Sequence, residues 1–505
     1  MKKKALILGA SLLALTACGG SGETTTKSTE RDTLVAAQSA ELRTLDPHQA
    51  TDVYSRRLLA NIFDRLIEKN EEMELVPGLA ESWKYLSDTS VEFKLREGVL
   101  FQNGSELTSE DVKYTLELAK KSPMVGMLYE AIDEVEVVDK YTLIVKTAEP
   151  FGPLLHHLSH ITASIMNKEY NESTEEYNIK PMGTGPYMME RWVAGDRVIL
   201  KSHKDYFRGE APIENVIVRN IPEENSRVIG LETGEVHLSQ DILSISRMSI
   251  LNDPGLELQE MSALGISYMG FNVQRGVLQD KRVRQAIAYA INRDEIIDTI
   301  LMGSVEKANG LFGPGVFGYS EEAETIGYDL EKAKFLLAEA GYPNGGIDLL
   351  VTTSGSETNT QIMTIVQAQL KEIGINLNLQ QLEWGAFLNS TANGETDLFY
   401  MGWSNSSADG DYGMSALLHG DLMGASGNRS FYKNERLDEL LGMGRRELDE
   451  DLRRSYYAEA MDIVNDEVPI YPFSFALANA GYQGSVKGYE QSPLNNPNFF
   501  KLSFE

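Results

Sequence analysis

Helical and strand-like hydrophobic patterns alternate along the chain from residue 33 onward. Residues 56–70 carry apolar side chains at helical spacing, which predicts one amphipathic helix. Residues 90–95 alternate between apolar and polar, which predicts a half-buried strand. Thr108 precedes a helical pattern with two acids in its first turn, and residues 134–147 predict a hairpin. These patterns together predict an α+β lobe over about residues 50–180.

A second series of elements follows in the rest of the chain. A sheet-rich region begins near Gly183. Asp329 is placed to cap a helix that ends at Gly341, because glycine is the usual residue just past a helix end. Residues 347–382 read as strand, helix and strand, which is typical of a βαβ unit. Residues 271–479 are therefore expected to form a lobe with parallel strands.

The N-terminus has the pattern of an exported and processed segment. Three lysines precede thirteen mostly apolar residues within the first seventeen positions, as in a secretory signal peptide. Thirteen residues rise only about 20 Å as a helix, which is too short for a bilayer core of roughly 30 Å. The sequence Leu15-Thr16-Ala17-Cys18 resembles the lipobox of bacterial lipoproteins. That resemblance implies a signal peptide over residues 1–17 and a lipid-modified Cys18; an ordinary signal peptide with an incidental cysteine is the alternative.

Residues 18–32 are expected to be a flexible tether, because they contain Gly, Ser, Thr and charged residues but almost no apolar side chain. The whole chain has 505 residues, a formal net charge of −29 and one cysteine. Such a negative protein repels phosphate backbones, so the sequence predicts no nucleic-acid binding. A single cysteine excludes intramolecular disulfides and a thiolate metal cage.

Four blocks of the chain resemble the extracytoplasmic solute-binding proteins that serve peptide and nickel ABC importers (family 5). The blocks are LVPGLAESWKYLSDTSVEFKLREGVLFQNGSELTSEDVKYTLE at 75–117, GTGPYMMERWVAGDRVILKSHKDYFRG at 183–209, YMGFNVQRGVLQDKRVRQAIAYAINRDEII at 268–297 and YDLEKAKFLLAEAGYPNG at 328–345. The resemblance extends over essentially all of residues 33–505.

This resemblance implies an α/β protein with the type II periplasmic-binding-protein fold, in which two lobes surround a cleft and a third domain is added. Domain I would be discontinuous, domain II would be the extra domain, and hinge crossings would lie near residues 270 and 480. The implied ranges are 33–50, 180–270 and 480–505 for domain I, 51–179 for domain II and 271–479 for domain III.

The stretch from Met401 to Tyr412 contains the most informative candidate ligand-binding residues. Related peptide binders place an acid three or six residues after a tryptophan, where it holds the α-amino group of the ligand. In this chain Ser406 lies three residues after Trp403, and Asp409 lies six after it. The run with Ser404 and Ser406 is more similar to the branch that contains glutathione binders. A buried carboxylate suits an ammonium group, which makes Asp409 and Asp411 candidates; a solvated glycine-rich loop is the alternative.

Further candidates come from the hydroxyl-rich turn at 352–359 and from the resemblance. Thr353 and Ser354 precede a helix whose free N–H groups could bind a ligand carboxylate, although a plain helix cap explains them equally well. Trp384 resembles a family aromatic residue that walls the cleft, with core packing as the alternative. The resemblance also places Tyr268 and Asn272 near the cleft.

The sequence predicts neither a metal site nor a cofactor. His156 and His160 have the i, i+4 spacing that can place two imidazoles on one helix face, and His419 is a lone further candidate. No acidic or thiolate partner lies close to them in sequence, so a partly exposed helix end is the favoured interpretation. The chain also lacks the G-x-S-x-G, H-E-x-x-H and G-x-x-x-x-G-K-[ST] motifs of common hydrolases, zinc enzymes and nucleotide-binding enzymes.

The resulting interpretation is a monomeric lipoprotein that captures short peptides and delivers them to the permease and ATPase subunits of an ABC importer. Its expected location is the outer face of the cytoplasmic membrane, held there by the lipid anchor alone. The alternatives are a binder of glutathione or of a nickel chelate for the same class of importer. A hydrolase and a surface receptor without a transport role are alternatives from other functional classes.

Overall fold

The computed structural model describes residues 32–505. Strands in this range are, in chain order, β1 (Thr33–Gln38), β2 (Ile67–Lys69), β3 (Leu75–Pro77), β4 (Ala80–Ser87), β5 (Ser90–Leu95), β6 (Ile132–Asp139), β7 (Thr142–Thr147), β8 (Tyr187–Val193), β9 (Arg197–Ser202), β10 (Asn215–Asn220), β11 (Leu238–Gln240), β12 (Leu256–Phe271), β13 (Ile347–Ser354), β14 (Ile375–Leu382), β15 (Leu398–Ser404), β16 (Ile470–Gln483), β17 (Val486–Lys487) and β18 (Ser503–Phe504).

The α-helices in the same range are α1 (Val53–Ile62), α2 (Ser109–Lys121), α3 (Leu154–Leu158), α4 (Lys168–Ser173), α5 (Glu224–Thr233), α6 (Arg247–Asn252), α7 (Lys281–Ala290), α8 (Arg293–Thr299), α9 (Leu330–Glu339), α10 (Glu357–Lys371), α11 (Trp384–Ala392), α12 (Gly410–Leu418), α13 (Glu435–Arg446) and α14 (Glu450–Glu467). Short 3-10 turns connect several of these elements.

Several of the predicted elements are confirmed. The strand at 90–95 is β5, and the hairpin at 134–147 is formed by β6 and β7. Helix α2 begins after Thr108, whose backbone N–H donates to the carboxylate of Asp111 at 3.0 Å, as expected for a capping box. The βαβ unit is also present, since β13 and β14 are parallel and α10 connects them.

The single helix predicted over residues 56–70 is wrong in its second half. Helix α1 ends at Ile62, and the chain then forms the short strand β2. The side chains of Ile62 and Phe63 pack in one hydrophobic core, whereas Leu66 and Ile67 pack in another. The helix ends at Ile62 because the apolar residues before and after this point pack in two separate cores. The spacing of apolar residues along the chain does not show which core each one joins.

One ten-stranded sheet joins most of the protein, in the order β14-β13-β15-β12-β16-β11-β1-β10-β9-β8. The long antiparallel strands β12 and β16 lie in its middle. On one side β12 pairs with β15, which is parallel to β13, and on the other side β16 pairs with β11, which in turn pairs with β1. These two strands therefore carry the chain from one half of the sheet to the other.

The pairing between β12 and β16 is broken at one point. Ser262 pairs with Leu477 and Ile266 pairs with Phe475, so that residues 263–265 lie opposite Ala476 alone. Such an irregularity leaves main-chain groups without ladder partners and bends the strand. The break lies between the two halves of the sheet.

The described residues contain four large clusters of buried side chains and one small cluster. One core falls within residues 66–165 and covers the small sheet β4-β5-β7-β6. A second combines residues from the start, the middle and the end of the chain, including α1, while two further clusters pack around β12–β16 and the helices after them. The three-domain division stays a prediction, and α1 packs with the discontinuous core although the predicted boundary placed it in domain II.

The predicted signal peptide, Cys18 and most of the tether lie outside the described residues. In the part of the chain from residue 32 onward, none of the helices combines the length and apolar character needed to cross a membrane.

Candidate functional site

A cavity of about 440 Å³ lies where the two halves of the large sheet meet. One wall is formed by α1 and the residues that follow it, and the facing wall by the broken part of β12 with β15 and β16. The lining residues are Val53, Arg56, Ala60, Arg65, Glu68, Lys69, Ser159, His160, Ile161, Ala263, Leu264, Gly265, Ile266, Gly402, Trp403, Ser404, Ser406, Ala476, Leu477, Pro493, Leu494, Asn495 and Asn496. The volume falls in the usual range for small-molecule sites.

Three of the candidate residues predicted from the sequence, Trp403, Ser404 and Ser406, line this cavity. Strand β15 positions the first two, because Trp403 pairs with Ile266 and Ser404 pairs with Gly265 across the sheet. The indole of Trp403 packs against Tyr412, with ring centroids 5.4 Å apart. Its Nε1–H is buried and has no hydrogen-bond partner in residues 32–505. A buried donor without a partner costs free energy, so a ligand carbonyl would relieve that cost.

Asp409 and Asp411 lie away from the cavity surface, and their carboxylates are already bonded. Asp409 is 0% exposed and accepts from Arg453 Nη2 at 2.8 and 3.0 Å. Asp411 is 2% exposed and accepts from Arg445 Nε at 3.2 Å. Both acids of the pattern that suggested an ammonium-binding site thus form internal ion pairs, and a carboxylate bonded to a guanidinium has little capacity left for a ligand.

The pKa of Asp409 reflects this arrangement. Burial is the largest single effect and raises its pKa, but the charge and hydrogen bonds of Arg453, together with His156 and the backbone N–H of Asp411, outweigh burial and lower the pKa to about 2. The carboxylate also accepts from the backbone N–H of Asp411 at 2.9 Å and thereby caps α12. Asp409 therefore stays ionised and fixes the loop that follows Trp403.

The remaining candidates do not line the cavity. Trp384 begins α11 with 53% of its surface exposed and contacts Phe387. Thr353 and Ser354 lie on β13, and Ser356 rather than either of them caps α10. Tyr268 and Asn272 are buried at 1% and 3% exposure: Tyr268 packs on Phe399, and Asn272 donates to the carbonyl of Gly394.

The sequence reasoning missed the charged residues on the α1 side of the cavity. Arg56 lies within α1, and Arg65, Glu68 and Lys69 follow it closely in the chain. Arg65 and Glu68 form an ion pair, and Lys69 Nζ donates to the carbonyl of Ser407 at 3.0 Å. The sequence feature that could have indicated these residues is a cluster of basic side chains beside the predicted boundary between domains I and II, at residue 51.

His160 adds a neutral donor to the same cavity. Its Nδ1 accepts from the backbone N–H of Thr162 at 3.3 Å and lies 2.7 Å from the Thr162 hydroxyl; with Nδ1 as the acceptor of both, the ring proton is on Nε2. Burial lowers the pKa of His160 well below its usual range, so the ring stays neutral. Nε2 is buried and has no partner in the described part of the chain.

The histidines do not share a helix face, because α3 ends at Leu158 and His160 lies beyond it. His157 Nδ1 bonds the carbonyl of Leu128 at 2.7 Å, and His156 packs against Phe317. Within residues 32–505, no group of three or more His, Cys, Asp or Glu side chains is arranged to hold a metal ion.

Stability is expected to depend on pH through His156. Burial lowers its pKa to about 3, and the nearby charge of Asp409 offsets this only in part. Below pH 6.5 the His156 side chain takes up a proton in the unfolded chain, whereas in the folded chain it does so only near pH 3. The free energy of unfolding therefore falls as the pH drops through this window, by about 1.4 kcal/mol per pH unit for this group. Urea unfolding at pH 7, 6 and 5 should therefore give a shallower pH slope for His156→Gln. Equal slopes in both proteins would contradict the assignment.

The sheet halves, the two connecting strands and the cavity between them define a two-lobed ligand-binding protein. The model of the bacterial extracellular solute-binding proteins, family 5 (middle region), matches residues 74–424. The chain belongs to this family, whose members are binding proteins located outside the cytoplasm.

Individual relatives agree with this assignment. The chain is 28% identical to the dipeptide-binding protein of Escherichia coli K12, covering 100% of this chain and 99% of that protein. It is 28% identical to the glutathione-binding protein GsiB of Shigella dysenteriae, covering 90% and 91%. The structure of the periplasmic binding protein DppA from Helicobacter pylori in complex with the peptide STSA is similar with a TM-score of 0.79 and 30% identity, covering 94% of this chain and 99% of that one. The fold is the α/β, type II periplasmic-binding-protein fold.

Proposed function

We propose that this protein is the substrate-binding lipoprotein of an ABC importer, and that it captures short peptides in the cavity between its lobes. The observation that carries the proposal is the wall of that cavity. It combines an aromatic ring, Trp403, with the stretch of β12 at residues 263–265 that does not pair regularly with β16. An extended peptide binds such a wall through main-chain hydrogen bonds, which leaves its side chains free to vary.

Closure of the lobes would trap the ligand. The hinge is proposed at the break in pairing between β12 and β16, close to the crossings expected near residues 270 and 480. The cavity is lined from both sides of this break, by α1 and by β15, so a bound ligand would touch both lobes. A ligand favours a closed state only if it makes contacts that the open state lacks, and this position meets that condition.

Glutathione is the second candidate ligand. The similarity to the glutathione-binding protein GsiB favours it, and so does the pair of hydroxyl side chains Ser404 and Ser406 at the cavity. A nickel chelate is a third possibility within the same class of importer, with the chelating molecule supplying most of the metal ligands.

The remaining parts of the proposal concern location and partners. Cys18 would carry the lipid that holds the protein on the outer face of the cytoplasmic membrane, with residues 19–32 as the tether. The closed protein, acting as a monomer, would deliver its cargo to the permease, and ATPase subunits would drive transport. The protein would release its ligand unchanged and use neither a cofactor nor a catalytic group.

Native mass spectrometry of the full chain, purified without denaturation, tests this proposal. A series of bound masses that match short peptides would support a peptide importer and give the range of lengths. A single mass equal to glutathione or to a nickel chelate would instead assign the corresponding specialised ligand. Masses that match neither peptides nor these ligands would contradict the proposal.

A further inference from the structure

The α1 side of the cavity is basic although the protein as a whole is strongly acidic. The cavity lining contains three cationic side chains, Arg56, Arg65 and Lys69, and one carboxylate, Glu68. The chain as a whole carries a formal charge of −29. A positive lining in a negative protein concentrates anionic ligands at the site, because the local potential rather than the net charge acts on a bound group.

Most of this positive charge is not neutralised by the protein. The guanidinium of Arg56 has no hydrogen-bond or ion-pair partner in residues 32–505, although the charge of Asp52, whose carboxylate accepts from Ser55, acts on it. Arg65 pairs with Glu68 through Nη2, but its Nη1 is buried without a partner in the same range. Lys69 bonds only neutral oxygens, those of Ser407, Ser159 and the His156 carbonyl. Glu68 therefore compensates Arg65, while Arg56 and the protonated form of Lys69 are left for a ligand.

The neutral groups at the cavity are also mainly hydrogen-bond donors. Trp403 Nε1 and His160 Nε2 are buried donors without partners among the described residues. Among the described residues that line the cavity, the one buried acceptor without a hydrogen-bond partner is the side-chain oxygen of Asn496. Buried polar groups are nearly always satisfied in functional states, so this set favours a ligand with more acceptors than donors.

No carboxylate in the cavity lining is free to balance these donors. Glu68 is held by Arg65, while Asp409 and Asp411 are held by Arg453 and Arg445. The amino group of a ligand therefore meets neutral oxygens such as that of Asn496, whereas its carboxylates meet cations. A charge-assisted bond to a guanidinium is roughly twice as strong as a neutral hydrogen bond, so the carboxylates dominate selection.

Resting on the proposed function, we infer that the cavity selects peptide-like ligands of net negative charge, with one ligand carboxylate bound by Arg56 and another by Arg65 and Lys69. Acidic peptides and glutathione share this chemistry, since both carry two carboxylates and one amino group. Burial and the adjacent Arg65 lower the pKa of Lys69 to about 7, and an anionic ligand at this position would favour its protonated form.

Calorimetric titration of the full chain at pH 7 with four probes tests the inference. The probes are the tripeptides Ala-Glu-Ala, Ala-Gln-Ala and Ala-Lys-Ala, which differ in one side chain, and glutathione. Ala-Glu-Ala is expected to bind about tenfold more tightly than Ala-Gln-Ala, and Ala-Lys-Ala is expected to bind most weakly. Tighter binding of glutathione than of all three tripeptides would identify the source of the carboxylates and also support the inference.

Two variants test whether Arg56 causes the preference for the acidic peptide. Arg56→Gln should remove most of the difference between Ala-Glu-Ala and Ala-Gln-Ala, while Arg56→Lys should keep the larger part of it. Arg191→Gln is the matched control, because Arg191 is exposed on β8 outside the cavity lining. Thermal unfolding of each variant shows whether the fold is retained, and Arg56→Met, which also removes the charge, carries the test if Arg56→Gln does not fold.

Two failures can be told apart. Binding of Ala-Gln-Ala or Ala-Lys-Ala as tight as that of Ala-Glu-Ala, or an unchanged preference in Arg56→Gln, would overturn the inference and leave peptide binding standing. Absence of binding by all four probes at millimolar concentration would overturn the proposed function together with the inference.

Discussion

Asp409→Asn is expected to lower the free energy of unfolding by about 3–5 kcal/mol. Asp409 is 0% exposed, and both of its carboxylate oxygens accept from Nη2 of Arg453, whose own side chain is buried. Asparagine keeps the size of the side chain but removes the negative charge, which leaves the buried guanidinium of Arg453 without compensation. Removing one partner of a buried ion pair costs much more than the pair contributes as a whole, because the remaining charge stays desolvated.

Urea unfolding at pH 7 measures this loss. Asp451→Asn is the matched control, because Asp451 is exposed in the first turn of α14, the helix that carries Arg453. The double variant with Asp409→Asn and Arg453→Met should recover part of the lost stability, since it removes the unpaired charge. A change below about 1 kcal/mol in Asp409→Asn would contradict the buried ion pair.

Trp403→Ala is expected to weaken ligand binding by about 2 kcal/mol, or roughly 30-fold, with the fold retained. The indole lines the cavity and its Nε1–H points to no protein acceptor among residues 32–505. A ligand would gain both the area of the ring and a hydrogen bond from this group. Aromatic side chains of this kind dominate binding energies because they are rigid and exclude water.

Titration of whichever ligand the native mass spectrum identifies measures this effect. Trp384→Ala is the matched control, because Trp384 is 53% exposed and lies outside the cavity lining. Trp403→Phe separates the ring from the hydrogen bond and should lose only the smaller part of the affinity. Equal affinities of Trp403→Ala and the unmodified protein, with both folded, would assign Trp403 to the scaffold alone.

Much of the local structure could be predicted from the sequence, because it is set by neighbouring residues. The capping of α2 by Thr108 and Asp111 and the end of α9 before Gly341 follow from contacts within a few positions. Gly341 has a φ of +95°, which few other residues adopt readily. Helix α1 is the counterexample, because the two cores that divide its hydrophobic pattern are assembled from distant parts of the chain.

The candidate site was predictable only in part for the same reason. Trp403, Ser404 and Ser406 share one strand end and its loop, so a single motif indicated all three. The sequence also pointed to Asp409, but its partner Arg453 lies forty-four positions later and no local pattern connects them. Arg56 lines the cavity because the tertiary fold places α1 on the side opposite β15.

A crystal structure of the full chain grown with Ala-Glu-Ala tests most directly whether peptides bind between the two lobes. The predicted result is the peptide in the central cavity, extended between α1 and β15 and in contact with Trp403 and Arg56. The structure also contains a cavity of about 660 Å³ between residues 309–324 and α14, far along the chain from α1. A peptide bound in that second cavity, with no ligand density in the cavity between the lobes, would contradict peptide binding between the lobes.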